Sequence, residues 1–91
     1  MNTASQRARD ATNALSNASF RFIQAVNVAK LCQVEYEKFD EMRSQGVEVN
    51  PDVWDFIDSS LTGAVDELSL ARVEYEKAKE EYDEAMDPLY Y

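Results

Sequence analysis

The segment Gly46-Val47-Glu48-Val49-Asn50-Pro51-Asp52-Val53-Trp54 contains the end signal of one helix followed directly by the start signal of another. Gly46 can adopt the left-handed backbone conformation that terminates helices, because it has no Cβ atom to clash. Asn50 is a typical N-cap residue, and the proline after it suits a first helical position, where an N–H has no intrahelical partner. Val49 and Trp54 flank this cap at the spacing of a hydrophobic staple. The segment therefore predicts a tight connection between two helices.

The composition predicts long helices on both sides of this turn. The chain has 91 residues with Gly 2 and Pro 2, so it contains few residues that interrupt a helix. We predict a single all-α unit, a long antiparallel two-helix hairpin with coiled-coil-like packing. Helix one covers about residues 3–45, the turn 46–50, helix two about 51–87 and a short tail 88–91. Because so small a hairpin buries little apolar surface, we expect oligomerisation or a partner to complete it.

Small and apolar residues recur at alternating spacings of four and three along both predicted helices. In helix one this seam comprises Ala4, Ala8, Ala11, Leu15, Ala18, Phe22, Ala25, Ala29, Cys32, Tyr36 and Phe39. In helix two it comprises Trp54, Ile57, Leu61, Ala64, Leu68, Ala71, Tyr75, Ala78, Tyr82, Ala85 and Leu89. Such a heptad pattern is typical of helices that pack knobs into holes. When the chain folds at the turn, the paired seam numbers add to 93 and large residues mostly face small ones.

Further apolar residues lie outside the seam and cluster in the middle of helix one. A helix that is apolar on most faces is normally enclosed, and clustered exposed apolar residues mark interaction sites. Phe20, Ile23, Leu31 and Val34, with Asn27 between them, form a second stripe on the back of the helix. The predicted oligomer or partner interface comprises Phe20, Ile23, Val26, Leu31, Val34, Phe56, Val65 and Leu70.

The net charge of -9 is unevenly distributed between the two arms. Residues 1–30 carry four basic residues and one acidic residue, a net charge of +3, so residues 31–91 carry -12. This acidic field disfavours direct nucleic-acid binding through phosphates, whereas it attracts a basic protein partner. The candidate acidic face of helix two comprises Glu74, Glu76, Glu80, Glu81, Asp83 and Glu84.

The sequence favours no catalytic, cofactor-binding or metal-binding site. His is absent, and the single cysteine, Cys32, is a seam residue that cannot form an internal disulfide. The outward acidic pairs lack the His ligands that di-metal helical bundles use. No apolar run is long enough to span a bilayer, and the first twenty residues lack a signal-peptide core. We therefore expect a soluble protein without a signal peptide, cytoplasmic or part of an assembled particle, that is not an enzyme.

The middle of helix two contains residues that weaken a helix: Ser59, Ser60, Thr62 and Gly63. Gly63 is either a waist where another backbone approaches, a hinge, or a tolerated glycine. The sequence leaves these interpretations open.

The length, the helical hairpin and the Trp beside the turn are similar to the small Trp-x-Gly hairpins exported by type VII secretion. In this chain Trp54 is followed by Asp55 and Phe56, where that family has Gly. The family's Tyr-x-x-x-acid signal is also absent, because Lys79 and Met86 occupy the acidic position after Tyr75 and Tyr82. A secreted hairpin that dimerises with a different chain is therefore the third of three functional hypotheses.

The leading hypothesis is a non-enzymatic structural or assembly protein, a hairpin subunit that packs with copies of itself or a partner. Its setting would be a larger complex of the virion or secretion-apparatus type. The alternative is a small acidic inhibitor or nucleic-acid mimic that binds a basic protein partner through the acidic face. Salt separates the two, because it screens exposed charges and does not weaken apolar contacts in that way.

Overall fold

The computed structural model describes residues 3–87, which form helix α1 at Thr3–Ser44 and helix α2 at Pro51–Met86. The two helices run antiparallel and form a rod with extents of 68 × 18 × 13 Å. The predicted all-α two-helix hairpin is therefore confirmed, and each helix ends one residue before its predicted end. The predicted tail 88–91, and with it the seam position of Leu89, lies outside the described residues.

The end of α1 has the geometry that the sequence predicts for Gly46. This residue has a φ of 83°, and its N–H donates to the carbonyl of Arg43 at 3.0 Å. The N–H of Val47 donates to the carbonyl of Met42 at 3.0 Å. This pair of hydrogen bonds is the Schellman motif, which satisfies carbonyls that have no partner at the end of a helix.

The start of α2 is capped and attached to α1. The side-chain oxygen of Asn50 accepts the N–H of Asp52 at 2.9 Å, as expected for an N-cap. One turn later, the Trp54 ring lies 5.2 Å from the Tyr36 ring, measured between centroids. The guanidinium carbon of Arg43 lies 4.6 Å from the centre of the same indole ring. Trp54 thus joins the first turns of α2 to the last turns of α1 through aromatic and cation–π contacts.

The predicted seam forms the interface between the helices, and every seam residue within 3–87 is buried or half-buried. In α2 the buried positions lie seven residues apart and are occupied by Ile57, Ala64, Ala71, Ala78 and Ala85. The larger seam residues alternate with them at the half-buried edge: Trp54, Leu61, Leu68, Tyr75 and Tyr82. Because alanine fills the centre, no large side chain among the described residues is fully enclosed. The isolated hairpin therefore has a thin apolar core.

Two ion pairs join the helices at different points along the rod. At the open end, Arg7 Nη2 lies 3.8 Å from Glu84 Oε2, which agrees with the basic start and acidic end of the sequence. Further along, Arg21 Nη1 lies 3.2 Å from Glu74 Oε2. All four side chains are about half exposed or more, so these pairs select the orientation of the helices more than they stabilise it.

Two aromatic contacts cross the predicted layers of the seam. The first is the contact of Trp54, predicted opposite Phe39, with Tyr36, predicted opposite Ile57. In the second, the rings of Phe22 and Tyr75 meet edge to face, with centroids 5.4 Å apart and an interplanar angle of 63°. The pairing by number had placed Phe22 opposite Ala71 and Tyr75 opposite Ala18. The two rings are therefore neighbours between adjacent layers, because each large side chain reaches past the alanine opposite it.

Candidate functional site

The outward side of α1 carries the predicted second stripe, which we call the α1 outer stripe: Phe20, Ile23, Asn27, Leu31 and Val34. Its spacings of three, four, four and three place all five residues on the side opposite the seam. The side chains of the four apolar members are 62%, 58%, 68% and 62% exposed, in chain order. Asn27 is also exposed and lies at the centre of the stripe. The structure thus brings four of the predicted interface residues together on one uncovered helix face.

Helix α2 also carries exposed apolar residues. Phe56 and Leu70, both in the predicted interface, are exposed on α2, together with Val73. Val65 is also exposed. Val28 of α1 is exposed as well; like Val73, it is an apolar residue outside the seam that the predicted interface set did not include.

The exposed apolar residues of the two helices share one length of the rod. The Arg21–Glu74 ion pair marks one end of this section, and the Tyr36–Trp54 ring contact marks the other. We call these residues the central apolar belt: Phe20, Ile23, Val28, Leu31, Val34, Phe56, Val65, Leu70 and Val73. Val26, the remaining predicted interface residue, is half-buried beside the seam.

Beyond the belt, the rod is polar towards its open end. Within residues 3–19 and 74–87, no large aliphatic or Phe side chain is exposed. At the other end, Val47 and Val53 are the exposed valines of the turn region. The described part of the chain therefore has an apolar middle and a polar open end.

The acidic residues of α2 are partly neutralised by arginines of the same chain. Glu74 pairs with Arg21 as described, and Glu76 Oε1 lies 3.2 Å from Arg72 Nε. The Arg7–Glu84 pair accounts for a third member of the candidate acidic face. The other three members are exposed and have no ion pair within residues 3–87: Glu80, Glu81 and Asp83. Three of the six residues of the candidate acidic face are thus engaged in ion pairs within the chain.

An open groove of about 600 Å³ runs between the helices along one side of the belt. Ala25, Val28 and Cys32 contribute its α1 wall, while Gly63 and Leu70 belong to its α2 wall. Cys32 is half-buried there as a free thiol. Polar and charged side chains complete its lining: Arg21, Gln24, Ser60, Glu67 and Glu74. Arg21 and Glu74 are already engaged with each other in the ion pair between the helices. The groove therefore brings belt residues of both helices, Val28 and Leu70, to one side of the rod.

Two further observations concern the chemistry of the described residues. Between Thr3 and Asp87, no group of three or more His, Cys, Asp or Glu side chains is arranged to hold a metal ion. Neither α1 nor α2, as far as residues 3–87 describe them, combines the length and apolarity needed to cross a membrane.

Comparisons with protein-family models, with curated proteins and with solved structures found no match to this chain. The surface of the hairpin is therefore the feature that bears on function. The largest departure from an ordinary small-protein surface is the belt, because single exposed apolar residues are common but clusters of them mark interaction sites.

Proposed function

We propose that this protein is a non-enzymatic structural subunit that packs side by side with copies of itself in a larger assembly. The observation that carries this proposal is the central apolar belt on a hairpin whose own core is mostly alanine. Covering apolar surface stabilises a structure by about 25 cal/mol per Å² removed from water. The surface that the two helices leave uncovered is thus available to stabilise contacts with neighbouring copies.

The distribution of the belt supports an assembly larger than a pair. Ile23 and Leu31 are exposed on α1, whereas Phe56 and Leu70 are exposed on α2. A hairpin with one apolar face is satisfied by a single neighbour. A hairpin that exposes apolar residues on both helices can accommodate a neighbour against each helix, and such repeated contacts generate rings, sheaths or filaments. Subunits of a virion or of a secretion apparatus are of this kind.

The polar open end supports lateral packing over end-to-end association. Arg7 and Glu84 form an ion pair there, and Glu80, Glu81 and Asp83 are exposed to solvent near it. Contacts at such a surface are weak because exposed charges are well hydrated and screened by salt. The strongest association is therefore expected along the middle of the rods.

A second candidate function rests on the acidic residues that have no ion pair within residues 3–87: Glu80, Glu81 and Asp83. Carboxylates spaced along a rod can imitate the phosphates of a nucleic acid towards a basic protein groove. An inhibitor of this type would work as a folded monomer. The ion pairs of Glu74, Glu76 and Glu84 reduce the charge available to such a mimic, which is why we rank it second.

Light scattering across a protein concentration series, at low and at high salt, tests the proposal. We expect a discrete oligomer whose mass is unchanged in high salt, because apolar contacts are not screened by ions. A folded monomer at all concentrations would contradict assembly and favour the acidic mimic. An oligomer that dissociates as salt rises would contradict the belt as its contact surface.

A further inference from the structure

We infer that two copies of this hairpin pair antiparallel through the α1 outer stripe, about a two-fold axis that passes beside Asn27. This inference rests on the proposed assembly function and specifies its partner, a second copy, and its register. The stripe is symmetric in position: Ile23 and Leu31 each lie four residues from Asn27, and Phe20 and Val34 each lie seven. A two-fold axis perpendicular to the helix beside Asn27 therefore brings each apolar member of the stripe opposite an apolar member of the second copy, in the reciprocal contacts of a two-fold interface.

The two-fold axis defines which residues meet. Residue n of one copy faces residue 54 minus n of the other, so Ile23 packs against the partner's Leu31 and Phe20 against the partner's Val34. Each apolar member of the stripe then contacts an apolar member of the other copy. The contact spans the 15 residues from Phe20 to Val34, or about 21 Å of helix. All four apolar side chains, now more than half exposed, become covered.

Charged residues next to the stripe select the antiparallel direction. Lys38 and Glu41 continue the stripe at one end, and the uncharged Ser16 and Asn13 continue it at the other, all of them exposed. Antiparallel pairing places Lys38 near the partner's Ser16 and Glu41 near the partner's Asn13. Lys30, on the flank of the stripe, likewise meets the partner's Gln24. Parallel pairing in register would instead bring each of these charges against its own copy, and like charges in contact are unfavourable.

Asn27 fixes the register of the pair. The axis brings the two Asn27 amides together, and each amide has both a donor and an acceptor, so the two can hydrogen-bond to each other. A shift by one heptad would place Asn27 against an apolar Phe20 or Val34 of the partner. That arrangement would bury an unpaired amide, which is costly. A single polar residue in an apolar helix interface commonly specifies register in this way.

Disulfide formation between two different variants tests the pairing. Both variants carry Cys32→Ala, so that the introduced cysteine is the only one; one adds Ile23→Cys with an affinity tag, and the other adds Leu31→Cys. After co-expression and mild oxidation, we expect the mixed disulfide as the main product, since only facing side chains reach disulfide distance. Thr12→Cys, an exposed position away from the stripe, serves as the control for random collision.

A distance measurement covers the case in which the facing residues are not close enough for a disulfide. With a spin label on Glu48→Cys in the Cys32→Ala chain, antiparallel pairing places the two turns more than about 50 Å apart, given a rise of about 1.5 Å per residue. Parallel pairing places them within roughly 20 Å, about two helix diameters. The mixed disulfide or the long distance supports the inference. Same-residue disulfides as the main products, or a short distance with no long distance beside it, overturn it.

The results also separate this inference from the proposed function. An oligomer that shows neither the mixed disulfide nor the long distance overturns the Asn27-centred pairing and leaves the assembly function intact. A monomer under all conditions overturns both.

Discussion

Ile23 and Leu31 lie about two helical turns apart on the outward face of α1, each four residues from Asn27 and each more than half exposed. Neither side chain contributes to the seam between α1 and α2. Single exposed aliphatic residues are common on protein surfaces, whereas clustered ones mark interaction sites. Ile23 and Leu31 belong to such a cluster, with Asn27 between them. This relationship is the basis of the proposed pairing with a second copy.

Replacing Asn27 with Leu is expected to tighten the pairing and loosen its register. Burying a Leu side chain contributes roughly 1.5 to 3 kcal/mol, which lowers the dissociation constant by roughly tenfold or more. Because the leucine no longer penalises a shifted register, the disulfide products of the position 23 and 31 cysteines should become mixed. Analytical ultracentrifugation measures the affinity, with Thr12→Leu as the control. An unchanged dissociation constant would show that Asn27 is not buried by association.

Replacing Gly46 with Ala is expected to destabilise the hairpin. The φ of 83° at Gly46 lies in the left-handed region, where a Cβ atom costs about 1 to 2 kcal/mol. Urea unfolding followed by circular dichroism measures this loss as a lower midpoint at an unchanged slope. An unchanged midpoint would mean that the α1 end does not depend on the Schellman geometry.

The same substitution at Gly63 is expected to have the opposite sign. Gly63 lies within α2, and a Cβ atom built there meets nothing within 4 Å. Alanine in a helix interior is about 1 kcal/mol more favourable than glycine, so Gly63→Ala should raise the midpoint. Both variants make the same Gly→Ala change, so opposite shifts of the urea midpoint show that the effect depends on the position and not on the added methyl group. If Gly63→Ala instead weakened assembly, another copy's backbone would approach α2 at this position.

Loss of the Asn50 cap is expected to destabilise α2 by about 1 kcal/mol. In Asn50→Ala, the N–H of Asp52 loses the side-chain oxygen that accepts it at 2.9 Å. Asn50→Ser keeps an acceptor at the same position and should retain most of the stability. Because Trp54 is the only tryptophan and lies one turn after the cap, its fluorescence reports unfolding at this site. Equal destabilisation by both variants would argue against the capping role.

The turn and the seam were predictable because local backbone rules determine them. A left-handed Gly46 and a capping Asn50 follow from residue identity, and the seam follows from heptad spacing. The edge-to-face contact of Phe22 and Tyr75 was not predicted, since pairing by residue number ignores how far a large side chain reaches. The Arg21–Glu74 ion pair was missed for a similar reason. Long flexible side chains have many rotamers, and sequence spacing does not select one.

The candidate surface was predictable only as a set of residues. The apolar character of Phe20, Ile23, Leu31 and Val34 is visible in the sequence, and the structure adds that all four are exposed on one face. Val26, by contrast, is half-buried because it lies beside the seam. Its apolar character alone does not distinguish it from the exposed members of the set. Which molecule covers this face depends on the surface of that molecule as well. Association must therefore be measured.

The mass of the Ile23→Glu/Leu31→Glu variant in solution, measured by light scattering beside the unmodified chain, tests assembly through the α1 outer stripe most directly. The matched control is Thr3→Glu/Thr12→Glu, which adds the same charge at exposed positions near Arg7 and Arg9, in the polar section outside the belt. We predict that the stripe variant is helical but smaller than the unmodified chain, because carboxylates cannot be buried unpaired, while the control keeps the full mass. A stripe variant that assembles to the same mass as the unmodified chain would contradict the account.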